Sequence, residues 1–188
     1  MKPSLIKMLL SLTIVGTVSA AVLAYVHHIT SAPIAAAAEV ARARAIAEVL
    51  PPFAAIGTAA TASGDTKITP AYDAAHEVAG YAVETYSDNA FSGRLSIMVG
   101  FDARGAVSGY TILSSSETPG LGAKANEWFK SDNGSRSIIG RHDGSLRLKK
   151  DGGDIDGITA ATITSRAFLE AVNKARKSLS TYLLSIEQ

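Results

Sequence analysis

The stretch Gly80–Leu113, GYAVETYSDNAFSGRLSIMVGFDARGAVSGYTIL, decides the fold of this chain. Apolar and aromatic residues recur at roughly alternate positions in Glu77–Ser87, Gly93–Ala103 and Ala106–Ser116, which is the pattern of strands with one buried face. Asp102–Gly105, read Asp-Ala-Arg-Gly, consists of turn-forming residues. The sequence therefore predicts three strands, and the last two are expected to form a hairpin.

The sequence that follows these strands predicts helices packed on the sheet. Ser165–Ile186 is amphipathic because its apolar residues recur at spacings of three and four. A second hairpin is expected around Asp143-Gly144, and the core domain is expected to begin near Ile68. We therefore predict an α+β fold of antiparallel strands with packed helices. The apolar positions of the last helix are Phe168, Val172, Ala175, Leu179, Leu183 and Ile186.

An apolar segment near the start of the sequence predicts a membrane helix. Met8–Val26 carries no charge, and as a helix it is about 28 Å long, close to the hydrocarbon thickness of a bilayer. Lys2 and Lys7 precede it, and the next lysine or arginine is Arg42, so the positive-inside rule places the N-terminus in the cytoplasm. The alternative is a cleaved signal peptide with a small-residue site at Val18–Ala20. We favour an uncleaved anchor because apolar residues continue beyond that site.

The next segment predicts a connection between the membrane helix and the core domain. Ile34–Pro51 is alanine-rich with several apolar residues on one side, which indicates a helix that Pro51-Pro52 ends. This helix either continues the membrane helix as a stalk or packs on the domain. Ala54–Lys67 is rich in small residues and is expected to be a loop or linker.

Composition excludes several classes of function. The formal net charge of +1 over 188 residues gives no basic surface of the kind that binds nucleic acid. The absence of cysteine excludes disulfides, thiol catalysis and cysteine-ligated metal. The four histidines form no H-x-x-x-H or H-E-x-x-H pattern, so no metal site is expected.

The stretch Ser116–Gly122, SETPGLG, is the first place where chemistry is expected. Pro119-Gly120 predicts a turn, and glycine lets the backbone approach a flat ligand closely. Glu117 and Thr118 add an acceptor and a hydroxyl, and Lys124 adds a cation. The alternative interpretation is an ordinary surface turn that leaves a strand.

The second place is Asp156–Ser165, DGITAATITS, which leads into the last helix. Asp156-Gly157 is expected to form a turn. A helix start favours an anion, phosphate above all, because its N–H groups are unpaired and its dipole is positive there. The alternative is capping, in which one hydroxyl satisfies the first turn. Capping explains one hydroxyl and leaves the others unexplained. The hydroxyl residues of this stretch are Thr159, Thr162, Thr164 and Ser165.

This stretch resembles a known modification motif. DGITAAT resembles D-G-x-T-(S/G)-A-T, which is recognised by the flavin transferase that attaches FMN to a protein threonine. In that family the flavin phosphate is esterified to the last threonine, here Thr162. Ala160 stands where serine or glycine is usual; because alanine is also small, we expect the backbone to tolerate it. The positions that match the fixed residues are Asp156, Gly157, Thr159, Ala161 and Thr162.

Two further stretches narrow the resemblance. Glu117–Gly122, ETPGLG, looks like a hallmark loop of the FMN-binding G subunit of the Rnf electron-transport complex, a family related to the C subunit of the sodium-pumping NADH:quinone oxidoreductase. Lys149–Ala167 and the strand text from Gly80 onward are also similar to the Rnf family. Ala90–Gly93 is a looser match, because the family usually has a Gly-Tyr-Gly-Gly-like turn there.

The resemblance implies a redox subunit with one covalent FMN and no independent catalytic activity. Electrons would pass between ferredoxin and NAD within a complex that moves Na+ or H+ across a bacterial inner membrane. The implied partners are the other membrane and peripheral subunits, the flavin transferase and the lipid bilayer. The cofactor-binding residues it implies, besides Thr162, are Glu117, Thr118, Leu121, Gly122, Lys124, Thr159, Ala160, Ala161 and Thr164.

The expected domain organisation follows from these observations. It comprises a cytoplasmic N-terminus (1–7), a single transmembrane helix (8–28), a helical stalk and linker (29–67) and an FMN-binding domain (68–188) on the outer side of the membrane. Two alternatives stay open at this point. One is the corresponding FMN subunit of the sodium-pumping quinone reductase, and the other is a non-catalytic anchored binding domain whose threonines are helix caps.

Overall fold

A computed structural model describes residues 4–62, 65–132, 134–142 and 144–186. The chain divides between Ala43 and Arg44 into two compact units. The second unit holds a sheet covered by a long helix, and the predicted α+β class is confirmed.

The first helix, α1, spans Leu5–Val49 and contains Pro33 in its interior. One 18-residue window of α1 has a mean hydropathy of 2.1 and is not buried in the protein, so by length and composition this helix could cross a membrane. The segments predicted as a membrane helix and a stalk thus form one helix. It ends just before Pro51-Pro52, as predicted, since proline cannot continue a helix.

The sheet is antiparallel throughout. The strand order is β1-β3-β4-β5-β6, and β2 also pairs with β3. The three predicted strands are present as β4, β5 and β6, whereas β3 was missed because Pro70 disguises its pattern. The short strands β1 and β2 were also missed, because they lie in the small-residue segment Ala54–Lys67 that was predicted to be a loop or linker. The strands are β1 Ala55–Ile56, β2 Ala60–Thr61, β3 Lys67–Tyr72, β4 Val78–Ala90, β5 Gly93–Asp102 and β6 Val107–Ser114.

The predicted β5–β6 hairpin is confirmed, and its turn is held by Asp102. The Asp102 carboxylate accepts hydrogen bonds from the N–H groups of Arg104 and Ala106, both at 2.9 Å. Gly105 has φ +82°, a conformation that glycine adopts without steric cost. The turn residues therefore set the register of the hairpin.

The second predicted hairpin, around Asp143-Gly144, is wrong as far as the structure describes it; Asp143 itself lies outside the described residues. Residues 134–142 and 144–148 contain no strand. Instead, the N–H of Val107 donates to the carbonyl of Arg141 (3.0 Å), and the N–H of Gly140 donates to the carbonyl of Val107 (2.8 Å). This segment thus satisfies backbone groups at the start of β6 rather than pairing with itself.

The last helix, α3, spans Thr162–Ile186 and packs on one face of the sheet. Phe168 is fully buried, stacks on Phe129 with ring centroids 4.5 Å apart and meets the edge of Tyr110 at 4.7 Å. The Tyr110 hydroxyl donates to the carbonyl of Ala125 (2.7 Å), and burial raises its pKa. Ala125–Trp128 forms the short helix α2. Of the apolar positions predicted for α3, Ile186 alone is exposed, at 57%.

The opposite face of the sheet receives the end of α1. Val49 is buried there, and its carbonyl accepts a 2.6 Å hydrogen bond from the Ser108 hydroxyl. A side chain at Gly100 would collide with this carbonyl, and one at Gly109 would lie 2.9 Å from it. The compact unit with the sheet begins at Arg44 and so includes the end of α1.

We predict that Gly100→Ala lowers the free energy of unfolding by about 1–3 kcal/mol, because the added methyl group overpacks the contact with Val49. Thermal unfolding followed by circular dichroism measures this. Ser108→Ala serves as the comparison, since it removes only a hydrogen bond, and it should cost about 1 kcal/mol. An unchanged melting temperature in Gly100→Ala would show that the end of α1 does not pack here in solution.

Candidate functional site

The start of α3 is tied to the loop before it by Ser165. The Ser165 hydroxyl donates to the carbonyl of Ala161 (2.9 Å) and accepts from the N–H of Ile158 (2.9 Å). The N–H of Ser165 donates to the same Ala161 carbonyl and closes the first turn of the helix (3.0 Å). Ser165 is fully buried, so it fixes the loop 158–161 against the helix rather than facing a ligand.

The Thr164 side chain is also buried and hydrogen-bonded within the protein. Its hydroxyl donates to Oε2 of Glu117 at 2.6 Å, and Oε1 of Glu117 accepts from the N–H of Ser92 at 2.9 Å. Both Thr164 and Glu117 are buried. Gly122 lies against them, because a side chain there would collide with the Glu117 carboxylate and lie 2.8 Å from the Thr164 hydroxyl. Three segments therefore meet at Glu117.

A cleft of about 330 Å³ opens beside this junction, which we call the apolar cleft. Its size is within the range of small-molecule sites. Three large apolar side chains border it while exposed to solvent: Phe91 at 68%, Leu121 at 42% and Ile163 at 49%. The remaining lining residues are Glu117, Thr118, Gly122, Ala160, Ala161, Thr162 and Thr164.

A second cleft, of about 300 Å³, lies along the motif, and we call it the cationic cleft. Thr162 and Ala160 line both clefts. The Thr162 side chain is half-buried, and no described residue hydrogen-bonds to its hydroxyl. The other residues lining the cationic cleft are Leu148, Lys149, Lys150, Ile155, Asp156, Gly157, Ile158 and Thr159.

Asp156 anchors the first part of the motif. Its carboxylate pairs with Nζ of Lys149 (2.9 Å) and accepts from the N–H of Ser135 (3.2 Å), and its carbonyl accepts from the indole N–H of Trp128 (2.9 Å). The hydrogen bond from Lys149, followed by that from Ser135, holds the pKa of Asp156 below its usual value. Asp156 therefore positions the motif.

Comparisons with known proteins identify the segment that carries this site. Residues 91–177 match the family model described as FMN-binding domain. This segment, a little under half of the chain, is similar to the FMN-binding domain family. It contains Phe91, the whole 117–122 loop and the whole 156–162 motif, so the residues that line both clefts lie within the matched segment.

The chain is also similar to curated proteins named as the G subunit of the ion-translocating oxidoreductase complex. It is 35% identical to the one from Vibrio vulnificus (strain YJ016), over 65% of this chain and 60% of the relative. It is 39% identical to the one from Shewanella piezotolerans, over 60% of this chain and 55% of the relative. The predicted resemblance to the G subunit is thereby confirmed. The aligned part spans 60% or less of the length of these relatives.

The predicted cofactor-binding residues differ in whether they line a cleft. Most line one of the two clefts, but Lys124 is exposed on a 3₁₀ turn (Gly122–Lys124) and lines neither of them. Thr159 lines the cationic cleft alone. Among the described residues, no cluster of potential metal ligands is found.

Sequence reasoning missed four exposed residues that the fold brings to the clefts. Phe91 and Ile163 join Leu121 at the apolar cleft, and Lys149 and Lys150 line the cationic one. An aromatic residue in a tight hairpin connection, at Ala90–Gly93, was a usable signal, because such a position is solvent-exposed. The lysines gave no comparable signal, since their place depends on the path of the irregular segment before the motif.

The turn expected at Asp156-Gly157 is wrong, and the observed turn lies at Thr159-Ala160. Gly157 instead lies close to Leu148, because a side chain at this position would lie 3.3 Å from both methyl groups of that residue. Ala160 has φ +62°, the left-handed conformation that favours glycine. The one departure from the motif thus falls on a position where the backbone conformation favours glycine, one of the two residues that are usual there.

We predict that Ala160→Gly raises the free energy of unfolding by about 0.5–1 kcal/mol. Relief of the left-handed conformation is worth about 1–2 kcal/mol, and the greater freedom of glycine in the unfolded chain offsets part of it. Denaturant unfolding measures the change. Ala103→Gly is the matched control, since Ala103 is an exposed turn residue without a positive φ, and it should lose stability. Equal losses in both variants would contradict the strain at Ala160.

We predict that Asp156→Asn lowers stability at neutral pH and that its difference from the wild type disappears in acid. The pKa of Asp156 in the folded state lies below its unfolded value of about 3.9. The stability it contributes is therefore complete above that pH and is lost as the pH falls through the folded-state pKa. Denaturant unfolding at a series of pH values measures this. Asp132→Asn, at an exposed carboxyl, is the control, and a difference that does not depend on pH would refute the role of the ionised carboxylate.

Proposed function

We propose that this chain is the FMN-carrying redox subunit of an ion-translocating ferredoxin:NAD oxidoreductase complex, and that the FMN is esterified to Thr162. One observation carries the proposal: within a segment similar to the FMN-binding domain family, Thr162 has a half-buried hydroxyl, unpartnered among the described residues, at a helix start between two clefts. The relatives named as the G subunit favour this complex over the sodium-pumping quinone reductase.

The chemistry of Thr162 suits a phosphoester. Its hydroxyl is the one motif hydroxyl at the first residue of α3, where free N–H groups and the helix dipole stabilise a phosphate. Ser165 and Thr164 are unsuitable attachment points, because both are buried and hydrogen-bonded within the protein. Thr159 is exposed, but it precedes the helix and lies outside the apolar cleft.

The apolar cleft suits the flavin ring. Phe91, Leu121 and Ile163 offer apolar contact to a flat aromatic group, and burying them against it removes exposed apolar surface from water. Gly122 lets the loop approach the Glu117–Thr164 pair beside the cleft, because a side chain there would collide with the Glu117 carboxylate. When bound, FMN supplies the capacity to accept and release electrons, and the protein supplies binding, orientation and a controlled polarity.

The proposed location follows from α1 and from the relatives. A single helix of sufficient length and hydropathy would anchor the chain in the bacterial inner membrane, with the FMN-binding domain on the periplasmic side because the basic residues precede the apolar segment. There, other subunits of the complex would exchange electrons with this domain and couple the transfer to Na+ or H+ transport. A flavin transferase would attach the FMN to the chain.

We predict that Thr162→Ala abolishes covalent flavin in chain coexpressed with a flavin transferase. Intact-mass spectrometry should show one FMN less one water on the wild type, and in-gel flavin fluorescence should vanish in the variant. Thr181→Ala is the matched control, because Thr181 is an exposed threonine on the same helix. Thr162→Ser should keep some flavin, since it retains a hydroxyl.

A wild-type chain that carries no flavin after coexpression would overturn the proposal. The anchored domain would then be a binding module whose threonines are structural. In that case Thr162→Ala should cost at most about 1 kcal/mol of stability, the size of a capping contribution.

A further inference from the structure

The two clefts that share Thr162 differ in charge. Among the described residues, the only ionisable one lining the apolar cleft is Glu117, an acid whose oxygens already accept hydrogen bonds from Thr164 and Ser92. The cationic cleft is lined by Lys149, Lys150 and Asp156. A phosphate on the Thr162 hydroxyl would therefore be repelled on one side and attracted on the other.

Within the cationic cleft the two lysines are not equivalent. Lys149 is engaged by Asp156, with Nζ at 2.9 and 3.0 Å from its two carboxylate oxygens. The neighbouring Asp151 is engaged by Arg166, whose guanidinium donates two hydrogen bonds of 2.6 and 2.8 Å. Lys150 is exposed and makes no hydrogen bond or close ion pair with any described residue; it interacts with Asp151 only at longer range. Lys150 thus supplies a cation that no carboxylate of the described residues contacts.

We propose that the cationic cleft binds the phosphoryl group during its attachment to Thr162 and afterwards, with Lys150 as the phosphate-binding cation. The proposal rests on the proposed function, and it adds a cofactor-binding residue outside the 117–122 loop and the 156–162 motif. Phe91, Leu121 and Ile163 would then hold the ring on one side of Thr162, while Lys150 holds the phosphate on the other. Asp156 acts as a positioning residue, because it holds Lys149 at the wall of the same cleft.

The attachment step defines what Lys150 stabilises. Esterification of an alcohol requires an activated phosphate, and a flavin dinucleotide supplies one as a phosphoanhydride. The Oγ atom of Thr162 forms a bond to the phosphorus on the FMN side, and the anhydride P–O bond breaks. The electron pair leaves with the nucleoside monophosphate, the hydroxyl proton passes to a base of the transferase, and no atom changes oxidation state. A cation beside Thr162 offsets the negative charge of the incoming phosphate.

The test measures the rate of attachment to the purified full chain in detergent. Wild type, Lys150→Ala, Lys150→Arg and Lys177→Ala are mixed with a purified flavin transferase, Mg2+ and flavin adenine dinucleotide, and covalent flavin is followed by intact mass. Lys150→Ala should slow attachment about five- to tenfold, as expected for loss of a hydrogen bond to a charged group at an exposed position. Lys150→Arg should restore most of the rate. Lys177→Ala, at an exposed lysine of α3, should match the wild type.

A second measurement tests whether Lys150 contacts the attached phosphate, and it does not depend on the rate of attachment. Amine acetylation followed by peptide mass spectrometry should show that Lys150 reacts more slowly in the flavin-loaded wild type than in Thr162→Ala, while Lys177 reacts equally in both. Equal attachment rates together with equal acetylation of Lys150 would overturn this inference and leave the proposed function intact. A wild type that accepts no flavin would instead remove the proposed function and, with it, this inference.

Discussion

The buried carboxylate of Glu117 joins three segments that are distant in the chain. It accepts a hydrogen bond from the Thr164 hydroxyl in the first turn of α3 and another from the N–H of Ser92 in the β4–β5 connection, while Glu117 itself lies in the loop after β6. An unpaired carboxylate at this depth would be costly, so the three segments are held together. The apolar cleft exists because this junction fixes its walls relative to one another.

In the same region, a strained backbone conformation at Ala160 lies next to the proposed attachment residue, Thr162. Ala160 adopts a left-handed conformation between Thr159 and Ala161, and it lines both clefts beside Thr162. Backbone strain persists only where the surroundings impose it. Here Ser165 imposes it, because its hydroxyl binds Ile158 and Ala161 on either side of the turn. The turn thereby presents Thr162 with a hydroxyl that no described residue engages.

Much of the fold could be predicted, for reasons visible in particular elements. Strands β4, β5 and β6 and helix α3 show clear periodicity because each buries a single face. Strand β3 was not predicted because it contains Pro70, and proline is unusual inside strands. The segment after α2 was predicted to be a hairpin on its turn residues alone, and turn residues do not by themselves indicate strands on either side. The packing of Val49 on Gly100 could not be predicted, because the residues around Gly100 in the sequence do not indicate which distant carbonyl group will lie against it.

The sequence alone determined the α+β class, the long apolar helix, the loop at Glu117–Gly122 and the motif ending in Thr162, because these depend on local patterns and on a resemblance carried by short stretches. Only the tertiary structure decided that Glu117 and Thr164 are buried partners, that Lys124 lies outside the clefts, and that Thr162 lies between an apolar and a cationic cleft. The reason is that a cleft is made by residues far apart in the chain, such as Phe91, Leu121 and Ile163, whose proximity depends on how the helix packs on the sheet.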